Sequence, residues 1–142
     1  MFTAPPSSRN KSLQEWPAVQ TLALFRNSPR ARAYPDGTVV FREGEPGNEM
    51  YVVIEGSVDI SIEGRVVENL EPGGVFGEMA LVDASPRSAT ATVRGDGKLE
   101  PIDARRFEYL VQETPYFALH IMSVLASRLR RINAHLRNVD RG

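Results

Sequence analysis

The fold of this 142-residue chain follows from the run MYVVIEGSVDISIEGRVVENL, which extends from Met50 to Leu70. β-Branched residues dominate between its glycines, and such runs are typical of strands. Within it, DISIEGRVV predicts a hairpin that turns at Glu63 and Gly64, because a two-residue loop with glycine suits a tight turn. The run therefore predicts antiparallel β-structure in the middle of the chain.

Similar runs lie on both sides, so the whole segment 31–103 reads as β-structure. GTVVFREG and SATATVRG predict further short strands, while DG at 36–37 and EPG at 45–47 mark turns. Turn signals recur about every eight to twelve residues, which is typical of sandwiches and barrels. We therefore expect a mainly β fold, a sandwich or jelly-roll barrel, with helices flanking it.

Helical patterns precede and follow this β segment. Residues 1–12 are rich in Pro, Ser and polar residues, so we expect a disordered leader. Residues 13–30 predict one or two short helices, with Pro17 as a break or a first-turn residue. Residues 104–139 predict two further helices separated at Pro115. The expected architecture is a single domain over 13–142.

The second of these helices carries a repeating apolar seam. Its members are spaced alternately four and three residues apart, as in a coiled coil: Ala118, Met122, Leu125, Leu129, Ile132, Leu136 and Val139. One interpretation is that the stripe packs on the barrel. The other is that residues 118–139 form a homodimer, because packing on the barrel needs only the first half of such a helix.

Composition excludes several classes of protein. The chain has no cysteine, so disulfides and thiolate metal sites are absent, and its two histidines lack a ligand pattern. No apolar run is long enough to span a membrane, and the N-terminus does not resemble a secretory signal. We expect a cytoplasmic protein that is not an enzyme and carries no cofactor or metal, because no catalytic constellation is visible.

Charge is divided unevenly along the chain. Residues 1–114 have a net charge of −5, whereas residues 115–142 carry five arginines against Asp140, a net charge of +4. A basic segment can meet nucleic acid, anionic lipid or an acidic partner, but it can also be a solvated helix face. No helix-turn-helix is expected after this segment, since the sequence ends at Gly142.

The run FGEMALVDASPRSATA, residues 76–91, combines a glycine, an acid and an arginine in a loop. Gly77 opens a short helical turn whose free N–H groups suit an anion, and it does not obstruct a ligand. Arg87 adds a planar charged fork that suits phosphate. Glu78 is an acceptor that suits hydroxyl groups. A ligand with an anion beside a sugar hydroxyl would satisfy all three.

This run resembles the phosphate-binding cassette of cyclic nucleotide-binding domains, which we place at residues 76–90. YPDGTVVFREGEPGNEMYVVIEGSVDI resembles the first strands of that family, with Gly44 and Gly56 at its turn positions, and PYFALHIMSVLASRLRR resembles its last helix. The resemblance covers roughly residues 20–138. It implies a β jelly-roll barrel with N-terminal helices and two C-terminal helices.

Carried over residue by residue, the resemblance implies a ligand site. Glu78 would accept a hydrogen bond from the ribose 2′-hydroxyl, and Arg87 would pair with the cyclic phosphate. Arg128 lies where the family has an arginine near the ribose-binding acid, so it would pair with Glu78 or remain an exposed helix arginine. The full candidate set is Gly77, Glu78, Met79, Ala80, Arg87, Ser88, Ala89 and Arg128.

The resemblance also implies a function. The chain would be a sensor or regulatory module in signal transduction that binds cyclic AMP, signals through a shift of its last helix and acts on an unknown downstream protein. Ser88, where domains that prefer cyclic GMP often have threonine, favours cyclic AMP, with cyclic GMP as the other ligand. Ile132 and Asn133 occupy the region that contacts the base in activator-type relatives. The alternative is a scaffold module that acts through the last helix without a ligand.

Overall fold

The computed structural model describes residues 16–141, without the side chains of residues 16, 135 and 138–141. The predicted leader, residues 1–12, therefore lies outside the described residues. The elements within the range are, in chain order, α1 Trp16–Phe25, β1 Arg32–Tyr34, β2 Val39–Phe41, β3 Glu49–Ile62, β4 Arg65–Leu70, β5 Val75–Phe76, α2 Met79–Val82, β6 Thr90–Asp103, α3 Ala104–Glu113 and α4 Pro115–Arg141. This order confirms a mainly β fold with flanking helices. Of the one or two N-terminal helices that the sequence predicted, the described residues contain one, α1.

Two long antiparallel strands form the centre of the sheet. β3 and β6 have 14 residues each and pair from Glu49↔Asp103 to Ser61↔Thr90. β1 and β2 pair with β6, whereas β4 and β5 pair with β3. The central order β1-β6-β3-β4 follows. The result is the antiparallel jelly-roll arrangement that the sequence predicted.

The prediction of uniformly short strands was wrong for these two. The strand predicted in SATATVRG continues as β6 past Gly95 and Gly97 to Asp103, and Gly56 lies inside β3. Register shifts occur in β3 around Glu55, and Gly56 has a φ of +74°. A Cβ at Gly56 would lie 2.9 Å from the Asp96 carbonyl oxygen. These glycines accommodate bulges in continuous strands, where the sequence suggested turns that end them.

Alternation along β3 separates two apolar cores, because successive side chains point to opposite faces. Met50, Val52 and Ile54 face the helices, where they pack with Phe25, Val75, Ile102, Leu110, Phe117 and Ile121. Tyr51 and Val53 face the barrel interior with Val58, Ile60, Phe76, Ala89, Ala91, Val93 and Leu99. β3 is therefore buried on both sides over its first half.

The hairpin predicted at Glu63 and Gly64 is confirmed. β3 ends at Ile62, β4 begins at Arg65, and these two residues are paired. Both turn residues have positive φ, +50° at Glu63 and +79° at Gly64. Positive φ at both central positions is the requirement of a type I′ turn, which matches the twist of the strands.

The C-terminal helices pack on the core through their first turns. The Asp103 side chain caps α3 by accepting a hydrogen bond of 2.9 Å from the Arg106 N–H. Pro115, predicted to end this helix, is the first residue of α4, where the missing N–H costs nothing. A buried hydrogen bond of 2.6 Å between Thr21 Oγ1 and His120 Nδ1 joins α1 to α4.

The apolar seam of α4 leaves the core after its first half. Ala118 and Leu125 are half-buried. Met122 is 57% exposed. The members after Leu125 are 55 to 59% exposed: Leu129, Ile132 and Leu136. The Val139 side chain lies outside the described residues. Within residues 16–141, no helix has the length and apolar character that crossing a bilayer requires.

Candidate functional site

The cassette, residues 76–90, is fixed at both ends in the barrel. At its start Phe76 pairs with Tyr51 of β3, and at its end Ala89 is buried in the same core. Helix α2 lies between them and packs on β3. The polar residues of the cassette are therefore held by anchored apolar neighbours rather than by a free loop.

Gly77 is required for two separate reasons. Its φ is +81°, a left-handed conformation that side chains with a Cβ rarely adopt. In addition, a Cβ at this position would lie 2.7 Å from Arg87 Nη1. Gly77 thus allows the Arg87 guanidinium to lie directly against the cassette backbone, next to Glu78.

Glu78 is a fully buried acid that faces α4. It has no exposed surface, and its Oε1 forms an ion pair with Nη1 of Arg128. Its Oε2 has no hydrogen-bond partner within residues 16–141. A buried polar atom left unpaired costs about 1–3 kcal/mol. The free oxygen can therefore accept a hydrogen bond from a ligand.

Arg87 lies in a cradle made of backbone and aromatic groups. Its Nη1 donates to the Gly77 carbonyl over 3.1 Å, and its Nη2 donates to the Glu49 carbonyl over 2.7 Å. The guanidinium carbon lies 4.0 Å from the centre of the Phe41 ring, a cation–π contact. A Cβ at Gly47 would overlap the guanidinium. These contacts fix the orientation of the fork.

The positive charge of Arg87 has no counter-ion in the described part of the chain. The residue is 7% exposed, and no carboxylate of residues 16–141 lies within ion-pair distance of it. Its Nε is buried without an acceptor. Burial lowers the pKa of Arg87, while Tyr51, Glu49 and Glu45 raise it. A buried cation in this state calls for an anion.

The loop before β3 holds the backbone of Arg87 in place. The Gly44 N–H donates to the Arg87 carbonyl, and the Arg87 N–H donates to the Glu45 carbonyl, both over 2.8 Å. The sequence identified EPG at 45–47 only as a turn. Glu49, Phe41 and Gly47 were missed as parts of the site, because two of them contribute backbone and the third an aromatic ring.

The other candidate residues occupy different environments. Ala80 and Ala89 are buried, Met79 is half-buried and Ser88 is exposed. Their assignment to the ligand, and that of the cassette N–H groups, stays a prediction. Ile132 and Asn133 are both exposed, so neither is covered by the barrel.

Two other concavities lie away from the cassette. One of about 460 Å³ is lined by Phe25, Ser28 and Arg106 among others. The second, of about 630 Å³, is lined by Tyr34, Asp96 and Lys98 among others. Neither includes a residue of the cassette. The buried charges without full hydrogen bonding at Glu78 and Arg87 make the cassette the stronger candidate site.

The arrangement combines an acceptor and a donor on one short segment. The Gly77 carbonyl accepts a hydrogen bond from Arg87, and Glu78 is the next residue. Arg87 Nε, which lacks an acceptor, and Glu78 Oε2, which lacks a donor, are therefore on residues that meet at the Gly77 backbone. An anion would give Arg87 a counter-ion and an acceptor for its Nε, and a hydroxyl group would donate a hydrogen bond to Glu78 Oε2. The site can therefore bind a ligand that carries both an anion and a hydroxyl group.

Comparison with known proteins agrees with this geometry. The family model of the cyclic nucleotide-binding domain matches residues 31–114. A cyclic nucleotide-gated potassium channel of Mesorhizobium japonicum is 35% identical over 78% of this chain and 34% of its own length. A CRP-like cAMP-activated global transcriptional regulator of Mycobacterium tuberculosis is 36% identical over 72% of this chain and 48% of its own length.

A solved structure extends the similarity to the fold. The Thermus thermophilus catabolite activator protein superposes with a TM-score of 0.72 at 29% identity, covering 96% of this chain and 63% of that protein. The chain spans about a third to a half of the two curated relatives. Because the family model matches more than half of the sequence, and matches the cassette within it, the chain belongs to the cyclic nucleotide-binding domain family.

Proposed function

We propose that this chain is a sensor module that binds cyclic AMP at the cassette. The observation that carries the proposal is the buried guanidinium of Arg87, which has no counter-ion within residues 16–141 and an open Nε. A cyclic phosphate supplies that anion. The ribose 2′-hydroxyl donates to the open oxygen of Glu78, which lies one residue from the carbonyl that holds Arg87.

Two observations support cyclic AMP as the ligand. One curated relative that matches most of this chain is described as cAMP-activated. Ser88 is exposed on the cassette, and its small hydroxyl leaves room beside Arg87. Cyclic GMP shares the ribose and the phosphate, so it satisfies Glu78 and Arg87 equally and is the second ligand of the proposal.

The signal passes through α4. Arg128 of this helix pairs with Glu78, so ligand binding changes the surroundings of a charge that α4 already contacts. A ligand can shift a helix between two positions only if it interacts differently with them. Here the ribose hydroxyl and Arg128 share one carboxylate, which provides that difference. A downstream protein then reads the position of α4.

Thermal unfolding with three nucleotides tests the binding step. Cyclic AMP at a hundredfold over its dissociation constant adds about 2.7 kcal/mol to the free energy of unfolding. We expect 5′-AMP, which has the same base but an open and more highly charged phosphate, to stabilise the protein much less. If neither cyclic AMP nor cyclic GMP raises the unfolding temperature, the sensor function is wrong.

A second candidate is a scaffold that acts without a ligand. The exposed seam of α4 favours it, since Met122, Leu129 and Ile132 are each more than half exposed. A second copy of the chain would cover this seam as a parallel or antiparallel helix pair. Homodimerisation is compatible with sensing. It becomes the main function if the thermal test shows no ligand.

A further inference from the structure

A second buried acid lies away from the cassette, near the end of β6. Glu100 has no exposed surface. Outside the cassette, its Oε1 is the one buried side-chain polar atom within residues 16–141 that has no hydrogen-bond partner. Buried polar atoms without a partner are rare in folded proteins. The surroundings of Glu100 therefore differ from an ordinary packed core.

The other oxygen of Glu100 binds residues from two neighbouring segments. Oε2 accepts hydrogen bonds from Ser28 Oγ over 2.9 Å and from Arg106 Nη1 over 2.5 Å. Ser28 lies in the loop after α1, and Arg106 lies on α3. The guanidinium carbon of Arg106 is 5.4 Å from the centre of the Phe25 ring, at the end of α1. Glu100 thus holds the Arg106 side chain across the end of α1.

Arg106 and Ser28 line a cavity of about 460 Å³ between the end of α1, the loop after it and α3, which we call the α1–α3 cavity. Sites for small molecules have volumes of about 300–1,000 Å³, and a cavity of about 150 Å³ accommodates benzene. The cavity therefore has room for an aromatic ring and a polar head. Much of its wall is apolar, with Leu24, Phe25, Pro29 and Leu110.

The Arg106 side chain has hydrogen-bond donors that remain free at this wall. Its side-chain hydrogen bonds within residues 16–141 go to Glu100 and to the Pro101 carbonyl, and both use Nη1. Nε and Nη2 lack a partner there, yet neither is a fully buried atom, and 21% of the side chain is exposed. The edge of the fork that carries Nε and Nη2 is therefore accessible to a ligand.

The surroundings of the cavity carry an excess of positive charge. Arg26 and Arg30 are exposed on either side of the lining loop, and neither forms an ion pair within residues 16–141. Together with Arg106 they give three guanidinium groups. The nearby acids are Glu100, which is buried, and Asp103, which caps α3. A positive field of this kind attracts an anionic head group.

We propose that the α1–α3 cavity binds a small organic carboxylate that has an apolar body. The carboxylate accepts hydrogen bonds from Nε and Nη2 of Arg106, because a planar fork suits a planar carboxylate. The apolar body packs on Leu24, Phe25 and Leu110. Glu100 does not touch the ligand and is a positioning residue, since it holds Arg106 in place.

The proposed ligand lies close to α4 as well. The Phe25 ring that lines the cavity packs edge to face on Phe117 of α4, with 6.1 Å between the ring centres. A ligand on Phe25 is therefore one ring away from the helix that pairs with Glu78. The cavity is separate from the cassette, so this ligand is a second one and does not compete with a nucleotide.

Nuclear magnetic resonance titration of the nucleotide-free protein with 3-phenylpropanoate tests the proposal. We expect a saturable shift of the Arg106 Nε–H signal and of the backbone amides of Asn27 and Leu110. 3-Phenylpropanamide keeps the ring but has a neutral head, and acetate keeps the carboxylate but has no ring. Each should bind at least about tenfold more weakly, because it lacks the charge-assisted hydrogen bonds or the apolar burial.

Two variants, each with a matched control, locate the binding. Leu24→Asp adds a carboxylate to the wall that competes for Arg106, so we expect the dissociation constant of 3-phenylpropanoate to rise at least about tenfold. Leu119→Asp makes the same change at an exposed leucine of α4 outside the cavity and retains the affinity. Arg106→Lys keeps the charge that Glu100 requires but loses the fork, so it weakens binding, whereas Arg105→Lys at the exposed neighbour does not.

The proposal is wrong if 3-phenylpropanoate causes no saturable shift, or if its neutral amide binds equally well. It is also wrong if Leu24→Asp and Arg106→Lys bind the probe as tightly as their controls do. The amide spectrum of each variant shows that it is folded. No nucleotide enters this titration, so a negative result leaves the proposed sensor function standing.

Discussion

Arg128 of α4 forms an ion pair with Glu78, the fully buried acid of the cassette. The two residues are 50 positions apart in the sequence, and they connect the candidate site to the longest helix of the described chain. A carboxylate has two oxygens, and one of these remains open. The acid contacts the helix through one oxygen, and in the proposed function it would contact the ligand through the other.

Replacing Glu78 by Gln tests its contact with the ribose. We expect cyclic AMP affinity to fall by one to two decades, since a charge-assisted hydrogen bond is worth about 1.5–3 kcal/mol. Titration with 2′-deoxy cyclic AMP completes a cycle. We expect the wild-type protein to bind 2′-deoxy cyclic AMP more weakly than cyclic AMP, whereas the variant should bind the two ligands with nearly the same affinity. Full additivity of the two losses would show that Glu78 does not contact the 2′-hydroxyl.

Replacing Arg87 by Ala removes the proposed phosphate contact. We expect the affinity for cyclic AMP to fall by at least a decade, because a charge-assisted bond is lost. The free protein is also destabilised by about 1–3 kcal/mol, since the Gly77 and Glu49 carbonyls lose their donor. Arg94→Ala is the control, because Arg94 pairs with Asp59 at the surface. Unchanged affinity in Arg87→Ala would remove this residue from the site.

Replacing Gly77 by Ala separates backbone strain from contact with Arg87. Both Gly77 and Gly64 have φ near +80°, so Ala at either position costs about 1–2 kcal/mol. A Cβ at Gly64 has nothing within 4 Å, whereas a Cβ at Gly77 meets Arg87. Denaturant unfolding and titration of both variants should show that only Gly77→Ala loses cyclic nucleotide affinity. Equal losses would contradict a specific role for Gly77.

His120 makes the stability of the fold depend on pH. Burial lowers its pKa to about 4 from the ordinary value of 6.5. The unfolded chain therefore binds a proton that the folded protein excludes between these values, so stability falls as pH drops through this window. Between about pH 7.5 and about pH 5, this group removes about 2 kcal/mol.

Urea unfolding of the wild-type protein and His120→Gln at these two pH values measures that contribution. The variant has lost the hydrogen bond between Thr21 and His120, so it is less stable at neutral pH. Its stability nevertheless falls less on acidification than that of the wild-type protein. The same acid loss in both proteins would mean that His120 titrates normally in the folded state.

The seam of α4 predicts a homodimer that two matched leucines can test. Leu129 is 59% exposed and lies on the seam, whereas Leu119 is 60% exposed and lies off it. We expect Leu129→Ser to raise the dimer dissociation constant at least about tenfold, since it removes apolar burial from both copies. Leu119→Ser should have little effect. Sedimentation equilibrium measures both, and equal effects would place the interface elsewhere.

The sequence predicted the elements that depend on local patterns. The turn at Glu63 and Gly64 was identified from a dipeptide, because a type I′ turn requires positive φ at both positions. The run that contains Gly77, Glu78 and Arg87 was assigned as a cassette by its resemblance to a family, and the family model covers this run. Local chemistry is sufficient in these cases because each signal lies within a few residues of its effect.

Features that depend on distant partners could not be predicted in this way. The length of β6 was underestimated because Gly95 and Gly97 signal turns, but pairing with β3 carries the strand across them. The carbonyl of Glu49 that holds Arg87 comes from 38 residues away. A backbone group has no residue-type signature. The long-range contacts that complete the site could therefore be identified only from the folded structure.

The hydrogen bond between Thr21 and His120 has a practical consequence for spectroscopy. It joins α1 to α4, so the proposed displacement of the C-terminal helix would be transmitted to the N-terminal one. α1 begins at Trp16, the single tryptophan of the sequence. Intrinsic fluorescence of the unlabelled protein therefore comes from a single indole at the start of α1, and it offers an optical test of the proposed displacement of α4.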